Sequence, residues 1–327
     1  MVKLNINLPN EFFQEEVRCE YNVSHEMKEV WAVELDLLNE LIRVCEKYGL
    51  KYFADSGTLL GVVRHNGFIP WDDDIDIIMP RKDYDRLTTL ATSEFKSPYF
   101  FQCVNTEKNY YRGHSQLRYD GTAAILSSDV FLSIHQGIFI DIFVFDSIPD
   151  NKDSNWYRRL NRANKIYDRL YNYTYGYKFC INPIVALSQL YNLFYCSIVP
   201  PKRLYEEFEN LFRYYDDKPC KDIAYPCLKR IEIKTFKKNW YRKSIYLPFE
   251  NIRLPVPIEY DKVLRTQYGN DYMIPQKSPS MHGAFIILDP NRSYTEYLPI
   301  LRKEHKKNFL MEMVKSFKSK FNFLYYR

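Results

Sequence analysis

The segment from Gly57 to Ile77, GTLLGVVRHNGFIPWDDDIDI, holds the residues of this chain that are best suited to chemistry. A Gly-Thr turn precedes a short apolar helix, a basic loop follows, and an acidic cluster then runs into an apolar strand. Because side chains alternate along a strand, Asp74 and Asp76 share one face, with Cα atoms about 7 Å apart. Two carboxylates at this spacing can bind Mg2+ or Mn2+. Beside a phosphate-binding turn, they indicate phosphoryl transfer.

Two other interpretations of the acidic run compete with a metal site. Acidic runs are usually solvated loops, but this one enters a charge-free apolar strand, where an unpaired carboxylate would be costly. A helix-loop-helix calcium loop counted from Asp72 requires Gly at its sixth position and Glu at its twelfth. The chain has Ile77 and Asp83 at those positions, so the sequence favours metal-assisted chemistry.

A further carboxylate, Asp141, lies inside the segment GIFIDIFVFD, which is nearly all apolar and predicts a buried strand. A carboxylate in such a strand is either paired with a cation or bound to a metal. If this strand is a neighbour of the one that carries Asp74 and Asp76, Asp141 supplies a third acidic ligand. The alternative is a buried salt bridge with an arginine such as Arg118.

Composition and charge restrict the class of protein. Of the 327 residues, 46% are hydrophobic and 27% are charged, which is typical of a globular protein with a sizeable core. Residues 302–327 hold eight Lys/Arg and two Asp/Glu, whereas the remainder has 38 basic and 39 acidic residues. The net charge of +5 therefore belongs to the tail, and we expect no nucleic-acid partner. Seven cysteines without metal-binding spacing, and an N-terminus without a secretory signal, favour a cytoplasmic location.

Local signals indicate the elements that must position these residues. Ser24 is a candidate N-cap and Gly49 a candidate C-cap for a helix of about six turns. After a turn-rich segment near residue 150, helical patterns recur at 154–171, 184–199 and 201–215. These patterns predict an α/β (α+β) fold with a helical C-terminal half. The expected divisions are a catalytic core at 1–150, a helical and irregular acceptor-side region that completes the core at 151–300, and a basic amphipathic tail at 301–327.

Two segments have apolar faces at helical spacing. Residues 179–201 carry no charge, and their pattern fits an amphipathic helix that packs on the domain or lies on a membrane surface better than a membrane span. Its apolar face consists of Ile184, Leu187, Tyr191, Phe194 and Ile198. The tail has an apolar face surrounded by lysines, so it is either a membrane-surface helix or a helix docked on the domain. Its apolar face consists of Phe309, Leu310, Met313, Val314, Phe317 and Phe321.

Four segments together resemble the signature of the LicD family, whose members include fukutin and the fukutin-related protein. These are GTLLGVVRHNGFIPWDDDIDIIMPRKDYDRL, LRYDGT at 117–122, HQGIFIDIFVFDSIPDN at 135–151 and YGNDYMIP at 268–275. The resemblance implies a nucleotidyltransferase-like fold with a small mixed sheet flanked by helices. It also implies transfer of a phospho-alcohol, such as phosphocholine or a polyol phosphate, from a CDP-activated donor such as CDP-choline, with release of CMP. The acceptor would be a sugar hydroxyl of a teichoic acid, a capsule or lipopolysaccharide.

The resemblance also implies roles for individual residues. Catalysis would depend on Asp74, Asp76 and Asp141. The implied metal ligands for Mg2+ or Mn2+ are Asp72, Asp74, Asp76 and Asp141. The implied donor contacts are Gly57, Thr58, Arg64 and Arg118, and the candidates for acid–base work or acceptor contact are His135 and His282. Amides at a helix N-terminus suit the donor's phosphates, and arginines suit charge on the transferred group. Asp141 could accept the acceptor's proton or only hold the metal. Ser56 departs from the superfamily, which commonly has glycine there.

Two other functions remain as alternatives. One is a metal-dependent glycosyltransferase that uses the Asp-x-Asp pair on a nucleotide-sugar, although such folds do not need the upstream Gly-Thr turn. The other is a catalytically silent glycan-binding scaffold, which the 29 Tyr and 22 Phe would suit.

A lipid-linked glycan acceptor would place the protein on the inner face of the cell membrane, with the basic tail as a peripheral contact.

Overall fold

The structure is a computed structural model that describes residues 2–175, 183–225, 235–276 and 285–304. Helices and strands alternate irregularly along the chain, and the main sheet contains both parallel and antiparallel pairs of strands. This composition confirms the predicted α+β class. The helices are α1 His25–Tyr48, α2 Ser56–His65, α3 Arg81–Glu94, α4 Ser154–Tyr175, α5 Pro183–Ile198, α6 Pro201–Arg213 and α7 Tyr260–Tyr268. The strands are β1 Glu16–Arg18, β2 Tyr21–Val23, β3 Phe53–Ala54, β4 Asp76–Pro80, β5 Tyr99–Gln102, β6 Ser115–Tyr119, β7 Ala123–Leu126, β8 Phe139–Ile148, β9 Asp222–Ala224, β10 Phe236–Lys237, β11 Ser244–Phe249, β12 Ile252–Pro257 and β13 Phe285–Asp289. Residues 294–304 are also helical.

Strand β8 is the centre of the main sheet. It pairs in parallel with β4, from Asp76 opposite Asp141 to Pro80 opposite Phe145. Its first half also pairs antiparallel with β6, and its end pairs antiparallel with β9. Because both faces of this strand are covered, nine of its ten residues are buried: all its apolar residues except Phe143, together with the polar Asp141, Asp146 and Ser147. The predicted strand at 137–146 therefore forms, two residues further along.

The long helix α1 begins and ends where its capping residues predict. The Ser24 hydroxyl accepts a hydrogen bond from the amide of Met27 at 3.3 Å, and Gly49 adopts the left-handed conformation with φ of 63°. Between these caps the helix places Trp31, Leu38 and Leu41 in the core. The helix is thereby fixed against the sheet, which matters because it also contributes to the candidate site.

Helices α4 to α6 have an apolar core of their own. It includes Trp156, Ile166, Leu170 and Phe208, and it joins the sheet through Ile148 at the end of β8. After these helices the chain returns to the sheet, where β9 and β10 extend it beyond β8. Residues on both sides of position 150 thus share one sheet.

Helix α5 packs on α4 but turns its apolar side chains outward. The Asn192 amide is buried and donates to the carbonyl oxygen of Arg169 at 2.9 Å, and Cys196 is buried beside it. Four residues of the predicted apolar face, Leu187, Tyr191, Phe194 and Ile198, are exposed, and the side chain of Ile184 lies outside the described part of the structure. In the described part of the chain, no helix has both the length and the apolar character needed to cross a membrane. The prediction for the tail falls on residues 305–327, which lie outside the described residues.

Candidate functional site

The acidic segment is anchored to α1 before it enters β4. The indole nitrogen of Trp31 donates to the carbonyl oxygen of Asp72 at 3.0 Å, and the Trp31 ring stacks on Phe68 with centroids 4.4 Å apart. Strand β4 begins at Asp76, where its pairing with β8 begins, and Asp74 lies two residues before it. The prediction that Asp74 is also part of the strand is therefore wrong, because the ladder with β8 does not extend back to it.

Five carboxylates nevertheless form two overlapping groups. Ligand oxygens of Asp72, Asp73 and Asp74 lie within 4.8 Å of one another, and so do those of Asp74, Asp76 and Asp141. The second group forms because β4 and β8 are parallel neighbours in which Asp76 is opposite Asp141, with the Asp141 amide bonded to the carbonyl of Ile75 at 2.8 Å. The structure thus brings together the four carboxylates named from the sequence and adds Asp73.

Strand β6 supports Asp141 from its other side. The amide nitrogen of Gln116 donates to Asp141 Oδ1 at 2.7 Å, and His114 Nε2 lies 3.3 Å from the same oxygen. Gln116 in turn accepts from Arg118 Nη2 at 2.5 Å. The other two nitrogens of the buried Arg118 donate to the side chain of Gln102 and to the carbonyl of Gly137. Arg118 is therefore linked to the cluster through Gln116.

Burial and mutual repulsion dominate the electrostatics of the cluster. The pKa of Asp76 is raised well above its ordinary value, first by burial and then by the neighbouring Asp74 and Asp141. Glu34 is a fully buried residue of α1, one turn beyond Trp31, and its pKa is raised in the same way by burial, Asp74 and Asp73. Within the described residues, its Oε2 atom has no hydrogen-bond partner. Crowded, buried carboxylate oxygens fit a hard divalent cation, which would offset their repulsion.

The N-terminus of α2 lies against this cluster. A Cβ atom on Gly57 would be 2.6 Å from Asp72 Oδ2, so glycine allows the carboxylate to approach the helix terminus. The buried Thr58 hydroxyl accepts from the Asp76 amide at 2.8 Å and ties α2 to β4. Ser56 has φ of 45°, in the left-handed region that favours glycine, which gives a physical reason for the glycine of the superfamily.

Arg64 lies at the opposite end of α2 from Thr58, about 9 Å along the helix axis. Its Nη1 atom donates to the carbonyl of Tyr272 at 2.9 Å, and its Nε atom donates to His65 at 2.8 Å. Burial beside Arg64 lowers the pKa of His65 to about 4. The structure thus places Arg64 in contact with the segment YGNDYMIP, which carries part of the sequence signature.

Among the described histidines, the one in contact with the cluster is His114, which the sequence interpretation did not single out. His135 is held elsewhere: its Nε2 atom is 3.0 Å from Asp120 Oδ1, and its Nδ1 atom accepts from the Gly137 amide at 3.1 Å. Burial lowers the pKa of His135, and the bond to Asp120 acts in the opposite direction. His282 lies outside the described residues.

Sequence signals for two missed residues existed. His114, Gln116 and Arg118 alternate along a strand and therefore share the face that meets Asp141. Glu34 interrupts the apolar stripe of α1, three residues after Trp31. A buried acid in such a stripe needs a cation or a proton, which is the argument that identified Asp141.

Comparison of the sequence with known proteins identifies a matching family model and several similar proteins. Residues 49–172 match the family model described as "LicD/FKTN/FKRP, nucleotidyltransferase domain". The chain is similar to the lipopolysaccharide cholinephosphotransferase LicD of Haemophilus influenzae, with 28% identity over 252 residues that cover 76% of this chain and 91% of that protein. It is also similar to the human ribitol 5-phosphate transferase FKRP, with 35% identity over 54 residues, 16% of this chain and 11% of that protein. An uncharacterized protein of Rickettsia prowazekii is 47% identical over 47 residues, 14% of this chain and 18% of its own length.

Proposed function

This chain carries the nucleotidyltransferase domain of the LicD family, and we propose on that basis that it is a metal-dependent phosphotransferase. It moves a phospho-alcohol from a CDP-activated donor to a sugar hydroxyl of a cell-surface glycan and releases CMP. Phosphocholine is the group we propose, because the relative that matches over most of both chains is named a cholinephosphotransferase that acts on lipopolysaccharide.

One observation carries the proposal: Asp74, Asp76 and Asp141 converge within 4.8 Å beside the N-terminus of α2. These residues would hold Mg2+ or Mn2+, with Asp72 next to them. The bound ion would supply positive charge to the donor's phosphate oxygens. The aspartates keep this charge at a fixed place because two of them belong to hydrogen-bonded strands and the third lies two residues before one.

The remaining residues position the donor and the cluster. The first amides of a helix have no intrahelical partner, so those of Gly57 and Thr58 suit a phosphate. Arg64 contributes positive charge at the far end of α2. Arg118 fixes the orientation of Gln116, and through it that of Asp141. We assign Arg118 to this positioning role because protein groups engage all three of its side-chain nitrogens.

The first test is the melting temperature of the purified protein with CDP-choline, with and without Mg2+. A ligand that binds only the native state raises the melting temperature by mass action. At a ligand concentration of about one hundred times its Kd, the free energy of unfolding increases by about 2.7 kcal/mol. We expect a Mg2+-dependent rise that Asp74→Asn abolishes. Asp217→Asn is the matched control, because this exposed aspartate pairs only loosely with the exposed Lys82 at 3.4 Å.

The choice of ligands separates the alternatives. A Mg2+-dependent rise with CDP-ribitol but not with CDP-choline would retain the reaction class and change the transferred alcohol. A rise with a UDP-sugar alone would replace the proposal with a glycosyltransferase. Release of CMP in the presence of a glycan acceptor then tests transfer directly, and its absence with every CDP donor that binds would contradict the proposal.

A further inference from the structure

The outward face of α5 is the most unusual surface among the described residues. Six large apolar side chains are between 50% and 66% exposed: Leu187, Leu190, Tyr191, Leu193, Phe194 and Ile198. Their spacing of three and four residues places most of them on one stripe of the helix. Single exposed apolar residues are ordinary, but a contiguous stripe of this size marks a contact surface.

The packing of α5 shows that this orientation is built into the fold. The side that faces α4 contains Asn192 and Cys196, both buried, and the Asn192 amide is satisfied by the carbonyl of Arg169. Arg169 in turn places its guanidinium 3.6 Å from the ring centroid of Tyr195 and 5.7 Å from that of Tyr191. Rotating the helix to bury its apolar stripe would turn Asn192 and Cys196 towards solvent and break the contacts with Arg169.

The surroundings of this apolar face are basic. Residues 154–205 contain eight Lys/Arg and one Asp/Glu, a local net charge of +7, while α5 itself has no charged residue. Lys202 and Arg203 are exposed directly after α5, and Arg158 and Lys165 are exposed on α4, whereas the exposed Arg162 pairs with Glu207 of α6 at 2.7 Å. An uncharged apolar face with a cationic surround is complementary to an anionic lipid surface.

The same charge argues against two other occupants of the face. The tail at 302–327 has a net charge of +6, so it would be repelled from this region. A second copy of the chain would bring two basic surfaces together. A membrane span is also unsuitable, because a helix of 16 residues is about 24 Å long, shorter than a hydrocarbon core of about 30 Å.

We infer that α5 is an interfacial membrane-binding helix that inserts its outward apolar face into a bilayer containing anionic lipid. The helix lies parallel to the membrane plane, with Leu190, Phe194 and Ile198 in the acyl region and the flanking lysines and arginines at the headgroups. This binding needs no nucleotide and no glycan, so it is tested independently of the transfer reaction.

The test is co-sedimentation of the full-length protein with vesicles of phosphatidylglycerol and phosphatidylcholine, compared with pure phosphatidylcholine. The triple variant Leu190→Gln, Phe194→Gln, Ile198→Gln should reduce the partition coefficient by about tenfold or more, because three apolar side chains no longer transfer from water. The matched control is Met273→Gln, Ile274→Gln, Ile300→Gln, which alters side chains that are equally exposed elsewhere. This control should bind vesicles like the wild type.

A second measurement reports on the helix itself. The variant Tyr191→Trp adds a tryptophan to the outward face of α5. Vesicles with brominated acyl chains should quench the fluorescence of this variant more than they quench that of the wild type. High salt should weaken the binding of the protein to anionic vesicles. Deleting residues 305–327 should leave the effect of the triple variant unchanged. Absence of binding to anionic vesicles, equal binding by the triple variant, or an unquenched tryptophan would overturn the inference. So would an α5-dependent dimer whose face is unavailable to lipid.

Discussion

Glu34 and Asp76 show the cost of gathering acids in a buried site. The Glu34 side chain is fully buried and that of Asp76 is half-buried, and both have a pKa raised well above the ordinary value by burial and by neighbouring aspartates. Each unit of such a shift corresponds to about 1.4 kcal/mol of preference for the protonated form. The metal-free cluster therefore opposes folding whenever its carboxylates are ionised, and a bound cation would remove much of that opposition.

This argument predicts how stability depends on pH. Because the pKa of Asp76 is raised in the folded state, the folded protein binds a proton more tightly than the unfolded chain does. Above the ordinary carboxyl pKa of about 4, this group therefore makes the protein less stable as the pH rises towards the raised value. We expect Mg2+ to increase the melting temperature more at about pH 8 than at about pH 6, since the cation and protons compete for the same oxygens. Differential scanning fluorimetry across this range measures both effects.

Glu34→Gln separates the contribution of one acid. The variant keeps the shape of the side chain but removes a buried charge, so the metal-free protein should melt a few degrees higher at about pH 8 and show a weaker pH dependence. Glu40→Gln serves as the control, because Glu40 lies on the same helix and pairs with Arg43 at 2.7 Å on the surface. Equal pH profiles for wild type and Glu34→Gln would contradict the proposed electrostatic coupling.

Gly57 gives a second prediction at the scale of one residue. In Gly57→Ala the new methyl group would lie 2.6 Å from Asp72 Oδ2, so the carboxylate or the helix terminus must move. We expect the variant to remain folded but to lose most of the Mg2+-dependent melting shift with CDP-choline. Gly49→Ala is the control: it strains a left-handed helix cap by about 1 kcal/mol and should lower the melting temperature without changing the ligand effect.

Among the elements, α3, β8 and α6 are joined by a buried ionic network. Arg81 Nε and Nη2 donate to the two oxygens of Asp146 at 2.7 and 2.8 Å, and Nη1 donates to Glu209 at 3.0 Å. All three residues are buried, so each charge depends on its partners for solvation. This network attaches the helical segment α4–α6 to the strand that carries Asp141.

Arg81→Ala should therefore destabilise the protein by about 3–5 kcal/mol, because it leaves the buried Asp146 without its cation and leaves Glu209 paired with Arg213 alone. The midpoint of urea unfolding measures the effect, and hydrogen exchange should show the earliest loss of protection in α6. The adjacent Lys82→Ala is the control: its side chain is 79% exposed and its pairing with Asp217 should contribute little. A shift no larger than that of the control would show that packing, rather than this network, holds α6.

Local signals allowed some elements to be predicted and left others hidden. The caps of α1 at Ser24 and Gly49 were readable because capping depends on residues next to each other in sequence. The adjacency of Asp76 and Asp141 was predictable only as a condition, since it depends on a parallel pairing across more than sixty residues. The pairing of β7 with β13 had no local signal at all. For α5, the helical spacing of apolar residues identified which residues share one face. It did not indicate whether other parts of the chain would cover that face.

At the scale of the whole molecule, the helical segment extends from the sheet towards the carboxylate cluster. A cavity of about 170 Å³ lies between α4 and the segment that precedes β6, lined on one side by His114, which contacts Asp141, and on the other by Tyr167, Tyr171 and Tyr175. Aromatic rings of this kind can stack on sugar rings. Because α5 packs on α4, an acceptor held at a membrane under α5 would approach the cluster from this side.

This arrangement predicts that α5 matters for some acceptors and not for others. If the transfer reaction and the membrane contact are both as proposed, Leu190→Gln, Phe194→Gln, Ile198→Gln should transfer phosphocholine to a water-soluble glycan at the wild-type rate, because none of these side chains lines the site. With a lipid-linked glycan in anionic vesicles, kcat/KM should fall by about tenfold or more, as the local concentration of enzyme at the surface is lost. The rate with each acceptor, measured as CMP release, separates a defect in chemistry from a defect in docking. If the triple variant loses activity equally with both acceptors, α5 acts on the catalytic core itself. If the triple variant matches the wild-type rate with both acceptors, the lipid-linked acceptor reaches the site without membrane attachment by α5.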